Sequence, residues 1–173
     1  MLPRRRPSLI RLSALAAVLA AASAAAAAAA PEPASPHQQC YAAARAGTGN
    51  PYPCDLAVEA ARSQGASALL AAALANRSLT FAAAGRIEPA LADLNAALEL
   101  RPDDAALHGN RGNLLLRLGR AGEALAAHDR AAALAGGDPI AEYNRAFSYR
   151  AAGDPLRAAR IVEALSGREG AVR

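Results

Sequence analysis

Asn76-Arg77 returns as Asn110-Arg111 and again as Asn144-Arg145, so one dipeptide occurs three times at intervals of 34 residues. Gly85, Gly119 and Gly153 keep the same interval, as do Ala90, Ala124 and Ala158. Three markers sharing one spacing without slippage leave little room for chance. A period of this length is that of a helix–turn–helix unit. Such a unit cannot bury its apolar face alone. It stacks on its neighbours, and the stack leaves an open concave surface. The period therefore predicts an all-α helix–turn–helix solenoid, a scaffold suited to holding a partner.

Composition agrees with thin, closely packed helices. Hydrophobic residues make up 53% of the 173-residue chain but aromatics only 3%, because alanine supplies most of the apolar count. Alanine has the highest helix propensity and almost no bulk. All 19 basic side chains are arginine. Without lysine, a Schiff-base site, a phosphate-loop site and a Ser-x-x-Lys nucleophile are excluded. The formal charge of +4 comes from Arg4, Arg5, Arg6 and Arg11; beyond them 15 arginines balance 15 acidic residues. A nucleic-acid binder needs a retained basic face. This chain offers none.

Residues 1–30 have the three parts of a secretory signal: an arginine-rich start, an apolar stretch from Leu12, and a run of small residues. This reading places the remainder in the periplasm as a soluble protein. The competing reading is an uncleaved membrane anchor, since the segment is nearly long enough to span. Alanine is only weakly apolar and no stop-transfer flank follows, which favours cleavage. Residues 31–36 form a proline-rich linker.

Cys40 and Cys54 are the only cysteines. An even count in an exported chain reads as one disulfide. On the 34-residue register, residues 37–66 form a degenerate helical hairpin with one cysteine in each helix, and the bridge staples it. A metal pair with His37 and a redox switch are the alternatives. Three candidate ligands and no CxxC motif make both weaker, and no cofactor or metal is expected.

Three units follow, at residues 67–104, 105–138 and 139–168, with a short tail at 169–173. The first opens near Ser67, a suitable N-cap, and its second helix carries Ala90, Leu91, Leu94, Ala97 and Leu98 on one face. The second places Leu107, Leu114, Leu115 and Leu118 before its glycine, then Ala124, Leu125, His128 and Ala131. The third carries Tyr143, Ala146, Phe147 and Tyr149, and Asp154-Pro155 opens a last helix to about Leu165. The pattern Asn110-Arg111-Gly112, Leu118-Gly119, Glu123-Ala124-Leu125, Ala131, together with Ala90, Ala97 and Pro102, resembles the tetratricopeptide repeat, in the subset with Asn-Arg-Gly in its first helix. The resemblance runs from about Ser67 to Leu165. The third unit departs from it by lacking a final proline and a following solvating helix. That leaves Ile161, Val162 and Leu165 as exposed apolar surface open to a partner or a second copy.

The resemblance implies a protein–protein interaction role and an extended peptide segment in the concave groove. Asn76, Asn110 and Asn144 would line up along the leading helices, where similar proteins contact peptide backbone; each carboxamide offers an acceptor and two donors. Bonding within the fold is the other reading. Tyr143, Phe147 and Arg150, with Asn113 and Arg117, would add a mixed apolar and cationic patch, although core packing competes for Tyr149 and Phe147. Arg77 is placed to pair with Asp93, Arg111 to reach Asp93 from the next unit, and Arg145 to pair with Asp129. His108 and His128 fall at packing positions. No serine, cysteine or carboxylate pair has a recognisable base and orienter, so the chain is read as non-catalytic. The alternative function is a structural subunit of an envelope complex, associating through its last helix or an uncleaved N-terminal anchor.

Overall fold

The computed structural model describes residues 33–170, with side chains as far as 167. The expected signal segment and residues 171–173 of the tail lie outside this range. Eight helices and no strands occur among the described residues: α1 (Pro36–Ala46), α2 (Tyr52–Ser63), α3 (Ser67–Ala83), α4 (Ile87–Leu100), α5 (Ala105–Arg117), α6 (Ala121–Leu134), α7 (Pro139–Ala151) and α8 (Pro155–Gly170). They pack as successive pairs, α1 with α2 through α7 with α8, and each pair stacks on the next through α2–α3, α4–α5 and α6–α7. This is an all-α helical solenoid with the period read from the sequence.

The recurring glycines make the turns. Gly85, Gly119 and Gly153 have φ of 75°, 73° and 90°, a left-handed conformation that costs glycine almost nothing. After each, an amide reaches back five residues to the closing helix: Arg86 N–H donates to the Phe81 carbonyl, Arg120 to Leu115 and Asp154 to Tyr149, at 2.8 to 2.9 Å. This is the Schellman closure, which satisfies carbonyls at the helix end. Gly65 (φ 61°) makes the same turn, with Ala66 N–H donating to the Ala61 carbonyl. Ser67 is therefore the first residue of α3, not its cap. The Gly65 turn delivers the chain to the helix through Ala66, which makes no side-chain cap bond.

Side-chain caps open helices elsewhere. Asp104 accepts from Ala106 and Leu107 N–H to start α5, and Asp138 accepts from Ile140 N–H to start α7. Ser35 and Gln38 form a reciprocal capping box on α1, with Pro36 in the first turn. The last residue of the expected linker, Pro36, thus belongs to the helix, and Ser35 before it is its cap. At the other end α8 continues past Leu165 to Gly170.

The core runs along the stack and is mostly alanine. Ala90, Ala124 and Ala158, the register residues of the second helices, are all buried (0%, 0% and 8% exposed). Leu94 and Leu115 are fully buried, each contributing about 1.5–3 kcal/mol relative to exposure. Cys40 and Cys54 form the expected disulfide. Both are completely buried, and the core cluster joins them to Leu74 of α3 and Leu94 of α4. His128 occupies a core position at 0% exposure, whereas His108 is half-buried and its Nε2 lies 2.8 Å from the Pro102 carbonyl. Tyr143 and Phe147, by contrast, are 58% and 44% exposed. Core packing does not claim Phe147: its register equivalents Leu79 and Asn113 are exposed too, so this helix position faces outward in every repeat.

Candidate functional site

The three register arginines anchor the leading helices, each in a different way. Arg77 of α3 makes a two-pronged contact with Asp93 of α4, Nε to Oδ2 at 2.8 Å and Nη2 to Oδ1 at 2.7 Å, and its Nη1 donates to Asp55 of α2 at 2.9 Å. The Asp93 hydrogen bonds raise the guanidinium's pKa further above its ordinary value, against desolvation. Arg111 does not reach Asp93. That carboxylate is already held by Arg77, and Arg111 Nε donates to Asn95 Oδ1 at 2.9 Å. Arg145 pairs chiefly with Glu142 one turn earlier (2.7 Å), with Asp129 4.0 Å from its Nε. The switch follows from sequence: Ala127 and Ile161 stand where Asp93 would recur, so the later arginines turn back to the preceding helix or their own.

The second and third repeats are joined by a buried imidazole. His128 Nδ1 lies 2.6 Å from Ser148 Oγ of α7, and Nε2 lies 3.1 Å from the Gly109 carbonyl of α5. A carbonyl only accepts, so Nε2 carries the proton and Ser148 donates to Nδ1. Burial lowers the His128 pKa from its ordinary value near 6.5. Gly112 is required opposite the ring, since a Cβ there would fall 2.4 Å from Nε2. Both Ser148 and His128 are at 0% exposure; the pair is a pin between helices with no access for a substrate.

Against this pin lies a cleft of about 340 Å³ between α5 and α7. Asn110 and Asn113 line it from α5 and Ile140 and Asn144 from α7, with Ala131 of α6 and its C-cap Ala135 completing the lining. The carboxamides of Asn110, Asn113 and Asn144 make no side-chain hydrogen bond among the described residues. Asn76 is half-buried on α3 and lies outside this cleft. Arg117 is outside it too: its Nη1 donates back to the Ala82 carbonyl near the end of α3, at 3.1 Å, where a cation suits the helix terminus.

Tyr143, Phe147 and Arg150 face a second, larger groove of about 590 Å³ between α7 and α8, across from Ala158, Val162 and Glu163. The guanidinium of Arg150 stacks over the Phe147 ring, 4.8 Å from its centroid. The predicted patch therefore divides: Tyr143, Phe147 and Arg150 face this groove, Asn113 lines the α5–α7 cleft, and Arg117 lines neither. Val162, expected as exposed apolar surface, lines this groove, and Glu163 beside it was not anticipated. Ile161, expected to share the exposed apolar face with Val162, turns instead to a separate depression with Glu142, Arg145 and Arg160.

Among the described residues, no group of three His, Cys, Asp or Glu side chains is placed to hold a metal ion, and no helix is long and apolar enough to cross a membrane. Comparison with curated proteins finds no match. A family model described as TPR repeat matches residues 79–119, from the second half of α3 through α4 to the end of α5. Over that span the chain is similar to tetratricopeptide repeat proteins, and the described residues as a whole form an all-α solenoid of that type.

Proposed function

We propose that the chain is a non-catalytic periplasmic interaction module that binds an extended segment of another protein in the α5–α7 cleft. The observation that carries this reading is the pair Asn110 and Asn144. They stand one repeat apart on adjacent leading helices, both face the cleft, and neither carboxamide is used within the fold. An extended peptide presents unpaired amide and carbonyl groups along its length, and each carboxamide can pair with both kinds. Asn113 extends the polar wall and Ile140 supplies an apolar contact. The TPR match supports a protein partner in general terms.

Export is the second part of the proposal. The fully buried Cys40–Cys54 bridge supports it, because structural disulfides persist in oxidising compartments. Mass analysis of the protein recovered from a periplasmic fraction should give a chain cut near residue 30. Recovery of the intact N-terminus in membranes would favour the anchor instead.

A selection of linear peptides displayed at random, carried out on the wild type, tests the cleft. Selected peptides should lose at least about tenfold in affinity on Asn110→Ala with Asn144→Ala, at unchanged thermal stability. Equal binding to both proteins would remove the cleft from consideration.

A further inference from the structure

The groove between α7 and α8 has an internal counterpart one repeat earlier, between α5 and α6. There α7 covers part of the groove, with His128 at 0% exposure and bonded by Ser148, while Gly109 and the exposed Asn113 line the open α5–α7 cleft. In the terminal groove the equivalent of His128 is Val162, 45% exposed. The equivalents of Gly109 and Asn113 are Tyr143 and Phe147, also exposed. The terminal groove is more apolar than the internal surface it repeats, as an occupied interface would be.

The charges in the groove indicate the occupant. Arg150 sits at the end of α7 next to the α7–α8 turn. Glu163 lies eight residues into α8, roughly 12 Å further along the groove at the helical rise. Neither has an ion-pair partner among the described residues, and both line the same cavity. We propose that a second copy of this chain docks here, α7 and α8 against α7 and α8, about a two-fold axis perpendicular to the groove. That operation lays the turn end of one copy on the far end of the other. Arg150 then meets Glu163 of the second copy twice, at the two ends of an apolar centre made by Tyr143, Phe147 and Val162. Such an isologous contact closes on itself and stops at a dimer. The proposal does not depend on the peptide reading of the α5–α7 cleft.

Sedimentation equilibrium on the purified full protein tests it, with circular dichroism confirming helical content for every variant. Wild type should be dimeric and Val162→Asp monomeric. Arg150→Glu alone and Glu163→Arg alone each place like charges together at both ends, and should raise the dimer Kd at least about tenfold. Mixing the two single variants should restore a dimer of wild-type affinity containing one copy of each, because every end then joins opposite charges. Misfolding cannot produce that restoration. A monomeric wild type, an open series of higher oligomers, a Val162→Asp variant that still dimerises, or a mixture that stays monomeric would each overturn the proposal.

Discussion

The two ends of this stack solve the same problem in opposite ways. Among the described residues, the first and the last hairpin each have a neighbour on one side only. At the N-terminal end, α1 and α2 are short and poor in large apolar side chains. A buried disulfide supplies what packing cannot, and the cysteines themselves become core. At the C-terminal end, α7 and α8 are tied to the stack by Ala146, Ser148 and Ala158, and their outward face keeps its aromatic and apolar residues exposed. The lesson is that small buried residues suffice to seat a hairpin.

The contrast can be broken most directly at the stapled end. Cys40→Ala with Cys54→Ala should cost about 3 kcal/mol, the chain-entropy value for a loop of this size, measured by urea unfolding. A loss close to zero would mean the N-terminal hairpin packs adequately alone, and the contrast fails. Asp93→Ala should cost about 2–3 kcal/mol by the same assay, because it strips Arg77 of its two-pronged partner in a largely buried setting. Gly112→Ala should cost about 2 kcal/mol, since the added Cβ meets the His128 ring and overpacks a filled core.

Acidification sharpens the comparison from another side. The His128 pKa is depressed in the folded state, so the unfolded chain binds the proton more readily. Stability should then rise with pH while His128 titrates and fall on acidification below the ordinary value near 6.5, by at most about 1.4 kcal/mol per pH unit. His128→Gln should flatten that portion of the stability–pH curve. The smallest effect belongs to the open end: Val162→Asp should leave the melting temperature of dilute monomer unchanged, because Val162 contributes little to the intramolecular core. A drop of several degrees would show that α8 relies on it.

The fold was legible because its determinants are local and repeated. Gly85, Gly119 and Gly153 announce left-handed turns wherever they stand, and Asp104, Asp138 and Asp154 announce helix starts next to them. The disulfide was legible from the cysteine count and the register. Ser67 misled because a cap-forming residue followed a turn that already supplied the connection. The site was less legible. Arg111 was assigned to Asp93 without accounting for the competing claim of Arg77. Tyr143, Phe147 and Arg150 were grouped with Asn113 and Arg117, although the helices place them in different grooves.

The sequence by itself determined the period, the eight helices, the turns and the pairing of the cysteines, since each follows from contacts within a few residues or from a repeated spacing. Tertiary structure decided which carboxylate or carboxamide each register arginine holds, which asparagines share a cleft, and that Phe147 faces outward. The partners depend on which side chains of the neighbouring helices arrive first, and Phe147 stands at a register position that faces outward in each repeat, as Leu79 and Asn113 do.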